Sequence, residues 1–146
     1  MNNYVSVNIP KRSLKKIGRK IALEQIEKHD NLAKYLIINK YLYITSIKKM
    51  AKEEYKLYDA ELCEAKNEIM YNKIKNILPK ENESHTFAIN VNRKGEHKFT
   101  STELARDLAG AVFDAYPDIS VDLDKPKLIV HVNVLNNKCL IYAEQR

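Results

Sequence analysis

Arg93, Lys94, His97 and Lys98 stand within six residues of one another, and Thr100 and Ser101 follow after Phe99. The surrounding stretch, residues 87–110, reads "FAINVNRKGEHKFTSTELARDLAG". Clustered cations and hydroxyls ahead of a helix suit the binding of an oxyanion, above all a phosphate. A helix N-terminus adds backbone N–H groups without intrahelical partners and a partial positive charge. On residue types alone the same pattern serves equally as a helix cap flanked by solvated lysines.

A second basic cluster lies near the start of the chain. In "KRSLKKIGRKIALEQIEKH", Leu14, Ile17 and Ile21 share one helical face, while Lys11, Lys15 and Arg19, with Arg12, Lys16 and Lys20 beside them, point away from it. The overall net charge of +6 is uneven. Residues 1–80 carry 17 basic against 9 acidic side chains (net +8), and residues 81–146 carry 8 against 10 (net −2). Such an asymmetry points to a polyanionic partner.

Enzyme chemistry finds little to work with. The only glycines are Gly18, Gly95 and Gly110, so neither a GxGxxG turn nor a P-loop exists to cradle a nucleotide. His29, His85, His97 and His131 are scattered and read as surface or hydrogen-bonded strand residues, with no nucleophile paired to a base. Cys63 and Cys139 lie in apolar contexts without CxxC spacing and read as free buried thiols. No catalytic residue, metal site or cofactor is expected.

The elements that must hold these residues can be read from periodicity. With 45% hydrophobic and 30% charged residues, the chain is of ordinary globular composition. No apolar run approaches the roughly 18 residues of a membrane span, and "MNNYVSVNIPKRS" lacks the order of a secretion signal, so a cytoplasmic protein without membrane association is expected. Residues 3–9 alternate as a strand stopped by Pro10. The 11–20 stretch continues as a helix, and 34–45 forms two strands about an Asn39-Lys40 turn. Residues 47–57 return to helical spacing, and a further helix runs from an Asp59 N-cap to about Leu78, with Leu62, Ala65, Ile69, Ile74 and Ile77 as its apolar positions.

After the linker-like "PKENESH", "TFAINVNR" alternates as a strand. Thr100 and Glu103 then make a capping box for a helix carrying Leu104, Leu108, Ala111, Val112 and Ala115. A turn-rich 116–126 leads to "LIVHVNV" and "CLIYA", a hairpin with Asn136-Asn137 at its tip. The fold class is α+β: a ferredoxin-like β-α-β-β-α unit over 1–58, then an α-β-α-β-β unit with a mixed sheet over 59–146. Tyrosine is abundant, nine residues against three Phe and no Trp. Tyr35, Tyr41, Tyr43, Tyr55, Tyr58 and Tyr71 include candidates for stacking on bases, although most read as core or boundary positions.

The order "FAINVNRKGEHKFTSTELARDLAGAVFDA", "VDLDKP", "LIVHVNV", "CLIYA" resembles the THUMP domain, an RNA-binding module of 4-thiouridine synthetases, RNA methylases and pseudouridine synthases. The matching positions are Arg93, Ser101, Gly110, Asp122, Leu123 and Pro126, and the resemblance is close over about 60–143 and looser before it. It implies tRNA binding at the acceptor and 3′ end, together with a ferredoxin-like N-terminal domain, in support of tRNA modification. The RNA-binding candidates are therefore Arg93, Lys94, Lys98 and Ser101, with Lys11, Arg12, Lys15, Lys16, Arg19 and Lys20. The sequence ends at Arg146 without a modifying domain, which leaves three expectations. The chain is a non-enzymatic tRNA-binding protein that serves a separate modifying enzyme, an RNA-binding fragment of a tRNA methyltransferase or thiouridine synthetase, or a protein-interaction subunit of a tRNA acetyltransferase. Its oligomeric state is not readable.

Overall fold

The computed structural model describes the backbone of residues 5–10, 34–38, 41–46, 55–80 and 82–146, and side chains at Tyr58 and from Ala60 onward within that range. The chain divides into two compact units, Met1–Ala60 and Glu61–Arg146.

In the first unit β1 (Val5–Pro10) lies between β3 (Tyr41–Ser46) and β4 (Tyr55–Glu64), antiparallel to both. Outside β3 runs β2 (Lys34–Ile38), giving the order β2-β3-β1-β4. Ile38 pairs with Tyr41, so the β2–β3 connection is two residues long, in agreement with an Asn39-Lys40 turn. That turn itself and the expected helices over 11–20 and 47–54 lie outside the described residues. Pro10 ends β1, the position where the missing N–H costs the ladder least.

The second unit is a mixed sheet in the order β4-β8-β7-β5-β6, with α1 (Asn67–Ile77) and α2 (Ser101–Ala115) packed against it. Its strands are the end of β4, β5 (Thr86–Lys94), β6 (Ser120–Val121), β7 (Leu128–Leu135) and β8 (Lys138–Gln145). β5 is parallel to β6 and β7, and β7 is antiparallel to β8. Parallel neighbours need a crossover, and α2 supplies it between β5 and β7. The core is built from period-two and period-3.6 positions: Leu128, Val130, Val132 and Val134 of β7 meet Met70 and Ile74 of α1 and Leu104, Leu108, Ala111 and Val112 of α2. These side chains have no exposed surface, so at about 25 cal/mol per Å² their burial dominates the stability of the unit.

The expected helix from Asp59 to Leu78 is corrected. Asp59 is not the start of a helix: its backbone lies within β4, paired with Ser6, and the helix begins only at Asn67. Residues 55–57, expected to be helical, also belong to β4. "YKLYDAELCE" contains good helix formers but also the tyrosines that favour strands, and within the first unit β1 pairs with it along Tyr55–Ala60. With β4 and the short β6 added, the second unit reads β-α-β-α-β-β-β where α-β-α-β-β is expected. Leu62, assigned to a buried helical stripe, is 44% exposed on β4.

Candidate nucleic-acid interface

β5 ends at Arg93 and Lys94, and Gly95 then turns the chain with φ +110°, a conformation that L side chains rarely adopt. A Cβ there would also sit 2.3 Å from Asn136 Oδ1 of the β7–β8 turn. Asn136 N donates to the Lys94 carbonyl at 2.9 Å, so the loop and the turn are joined by backbone as well as by shape. His97 adds a further tie through Nε2, 2.8 Å from the Asn136 carbonyl. A carbonyl only accepts, so Nε2 carries the proton, and Nδ1 is a buried nitrogen without a hydrogen-bond partner among the described residues. The imidazole stacks on Phe99 with ring centroids 5.0 Å apart.

These contacts leave an open groove of about 720 Å³, with Gly95 to Phe99 on one side, Asn136 and Asn137 on another, and Ala65 and Asn67 completing it. The α2 N-terminus stands beside the loop. Thr100 caps it as expected, its hydroxyl accepting from Glu103 N at 3.1 Å, which is one of the two bonds of the expected capping box. Arg93 Nε donates to Ser101 Oγ at 3.2 Å. The guanidinium is thereby held at the first residue of α2, where helix geometry leaves backbone N–H groups and a partial positive charge.

The structure thus brings together Arg93 and Ser101, and places Lys94 and Lys98 exposed on the same strand-to-helix connection. Among the described residues none of these three cations is in an ion pair. Some other lysines of this unit are matched, Lys66 by Glu64 at 3.2 Å and Lys73 by Glu61 at 3.4 Å. Lys11, Arg12, Lys15, Lys16, Arg19 and Lys20 lie outside the described residues.

The remaining family-matched positions are structural. Gly110 lets α1 approach α2: a Cβ there would stand 3.1 Å from the Tyr71 hydroxyl. Tyr71, a stacking candidate, is instead half-buried between the helices and donates to Asp114. Asp122 Oδ1 accepts from Asp124 N at 3.0 Å and Lys125 N at 3.1 Å, closing a turn near the start of β5, while Pro126 is buried. Leu123 is 79% exposed. Asp122, Leu123 and Pro126 sit at the opposite end of β5 from Arg93, about 20–25 Å away at 3.3 Å per residue.

His131 is a hydrogen-bonded strand histidine, as expected. Its Nε2 lies 3.2 Å from Glu144 Oε1, and its ring stacks on Tyr142 at 4.5 Å. Burial pushes its pKa below the ordinary value, and Glu144 only partly opposes that. His97 stands in the basic cluster of the sequence but not among the RNA-binding candidates, and neither type nor spacing marks Asn136 as functional; both shape the groove. The one hint in the sequence is a lone glycine ahead of the helix together with an Asn-Asn turn.

Two helices packed on a mixed sheet, with a cationic loop at the sheet end where a helix begins, define an α/β module able to hold phosphate oxyanions. The chain belongs to the THUMP family, whose domain model matches residues 64–144. It is 39% identical over 56 residues to a tRNA sulfurtransferase of Vibrio campbellii, a match covering 38% of this chain and 12% of that protein. To a tRNA sulfurtransferase of Desulfurococcus amylolyticus it is 42% identical over 57 residues, 39% of this chain and 11% of that one. The matched stretch is thus about an eighth of the length of these relatives.

Among solved structures, PH1313 from Pyrococcus horikoshii Ot3 superposes with a TM-score of 0.67 at 16% identity, covering 97% of this chain and 54% of that one. A 4-thiouridine synthetase in complex with RNA and bound ATP superposes with a TM-score of 0.66 at 18% identity, covering 97% and 41%. At these identities the likeness is one of fold.

Proposed function

We propose that this chain binds tRNA, in support of tRNA modification, through phosphate contacts at the Arg93–Ser101 connection. The observation that carries this reading is the Arg93 Nε to Ser101 Oγ hydrogen bond, which presents at a helix N-terminus a guanidinium that has no ion-pair partner among the described residues, with Lys94 and Lys98 exposed beside it. Phosphate contacts position an RNA without reading its sequence, which suits a module that serves many tRNAs. Sulfurtransferase relatives that act on tRNA and a related fold solved with RNA support the choice of polyanion.

In the finer reading, the RNA element held is the acceptor stem with its 3′ end, and the basic residues Lys11, Arg12, Lys15, Lys16, Arg19 and Lys20 extend the contact. The first unit is ferredoxin-like, a reading that its antiparallel strand order β2-β3-β1-β4 favours. The chain performs no chemistry itself and delivers tRNA, in the cytoplasm, to a separate modifying enzyme. A second reading is that these residues are the RNA-binding part of a longer modifying enzyme, a methyltransferase or thiouridine synthetase. The small share of each relative that the match covers favours it.

The test is binding to a tRNA transcript and to the same transcript lacking its 3′ CCA, at two salt concentrations. The acceptor-end reading requires affinity that falls with salt and falls further without CCA. Salt-dependent binding indifferent to CCA would remove the acceptor end from the proposal, and absence of binding to either transcript would remove tRNA.

A further inference from the structure

The two cysteines, far apart in sequence, are neighbours in the fold. Cys63 lies on β4 and Cys139 on β8, adjacent strands of the second unit. Ala65 N donates to the Asn137 carbonyl at 2.7 Å, and the cysteines stand two residues from that bond, one on each strand. Both side chains point to the helical side of the sheet: Cys139 belongs to the core there and Cys63 packs against it. Cys63 and Cys139 thus share one face of adjacent strands, level with each other beside that bond. Residues facing one another on paired strands have Cα atoms about 4.5–5.5 Å apart, within the span that a disulfide bridges.

The two thiols are not equivalent. Cys139 is 1% exposed, whereas Cys63 is half-buried and reachable from solvent. The hydrogen bond from Cys139 lowers the pKa of Cys63, and the nearby Lys73 ammonium acts in the same direction, against burial and the charges of Glu61 and Glu64. Cys139 shifts upward, because its proton is committed to the Cys63 sulfur and because it is buried. Cys63 is therefore the thiol that ionises and meets an oxidant first.

From this arrangement we infer that Cys63 and Cys139 form a dithiol that low-molecular-weight disulfides oxidise to an internal disulfide, with Cys63 the attacking and Cys139 the resolving thiol. In the first step the Cys63 thiolate attacks one sulfur of the small disulfide, forming a mixed disulfide and expelling one small thiolate. In the second, Cys139 loses its proton to solvent and attacks Cys63 Sγ, forming the Cys63–Cys139 bond and expelling the second small thiolate. The protein gives up two electrons and two protons, and the small disulfide is reduced to two thiols. The product ties β4 to β8 across the sheet that carries the candidate RNA site. This inference is independent of tRNA binding.

The experiment is reaction of the native full chain with the aromatic disulfide 5,5′-dithiobis(2-nitrobenzoate), following released thiolate by absorbance and the protein by intact mass. The chain contains only two cysteines, so the stoichiometry is unambiguous. The expected result is about two equivalents of thiolate per chain, with a product lighter by two hydrogens and no retained adduct. For Cys139→Ser the expectation is about one equivalent with the adduct retained, and for Cys63→Ser a reaction at least tenfold slower than native, because the remaining thiol is buried. A retained adduct on the native chain, or no reaction before denaturant is added, would overturn the inference. Both readings come from the unsubstituted protein, so they stand even if a variant fails to fold.

Discussion

Replacing Arg93 by Ala removes one guanidinium held at the α2 N-terminus by its Nε bond to Ser101 at 3.2 Å. Two consequences differ in size and can be read separately. Within the fold, a half-buried hydrogen bond between uncharged and charged partners is lost, costing at most about 1–2 kcal/mol of stability. In the complex, a charge-assisted contact to phosphate disappears, so affinity for tRNA falls roughly tenfold, and the slope of log affinity against log salt shrinks by about 0.7–0.9, the value of one phosphate neutralised. Fluorescence anisotropy with a labelled tRNA across a salt series measures both, and circular dichroism checks that the variant is folded. Ser101→Ala should weaken binding less and leave the slope alone, since it frees the guanidinium without deleting the charge. If a folded Arg93→Ala chain keeps both native affinity and native slope, phosphate binding at this loop is wrong.

Gly95→Ala should cost about 1–3 kcal/mol, because it combines a φ of +110° with a Cβ placed 2.3 Å from Asn136 Oδ1; chemical denaturation measures the loss, and a change within error would show that the loop relaxes freely. Stability should also depend on pH through His131. Its folded pKa lies below the unfolded value of 6.5, so the unfolded chain takes up the proton first. The contribution is whole above about pH 6.5 and is lost as pH falls below it toward the folded pKa. Thermal melts between about pH 7.5 and 5 should show this decline, and His131→Gln should flatten it. An unchanged slope in that variant would assign the decline to other groups.

The parts of this fold that are legible in sequence are those decided within a few residues. Thr100 caps its helix through Glu103 N inside one turn, and the Asn136-Asn137 turn needs only its own two strands, with φ 55° at Asn136 of the kind asparagine tolerates. β4 is not legible in this way, because its ten residues suit either state by composition, and partners far away in the chain decide the matter. The consequence spreads: with Cys63 on a helix, nothing suggests its meeting with Cys139. Nor does sequence reveal that Gly110 reserves space for Tyr71 between the helices, which takes this ring out of contention for base stacking. Arg93 and Ser101 both stand out by type, but their hydrogen bond depends on the turn that Gly95 makes, which spacing alone does not convey.

The place of the candidate site is set by topology more than by any single residue. β5 and β7 are parallel, with Lys94 opposite Leu135, so both strands finish at the same edge of the sheet. The segments leaving the two strands must therefore lie side by side. β5 leads into a helix, because a parallel pair demands a crossover, and the helix N-terminus consequently opens at that edge. β7 leads into a tight turn, because β8 returns antiparallel, and the carbonyls and amides of the turn are free to pin the loop. Ligands of open sheets tend to gather beyond the carboxyl ends of parallel strands for this reason. The cations of this loop add charge to a position that the chain connectivity has already made concave and rich in N–H groups. Neutralising Lys94 or Lys98 should therefore weaken RNA binding by degrees, whereas loss of the Gly95 turn should disturb the site as a whole.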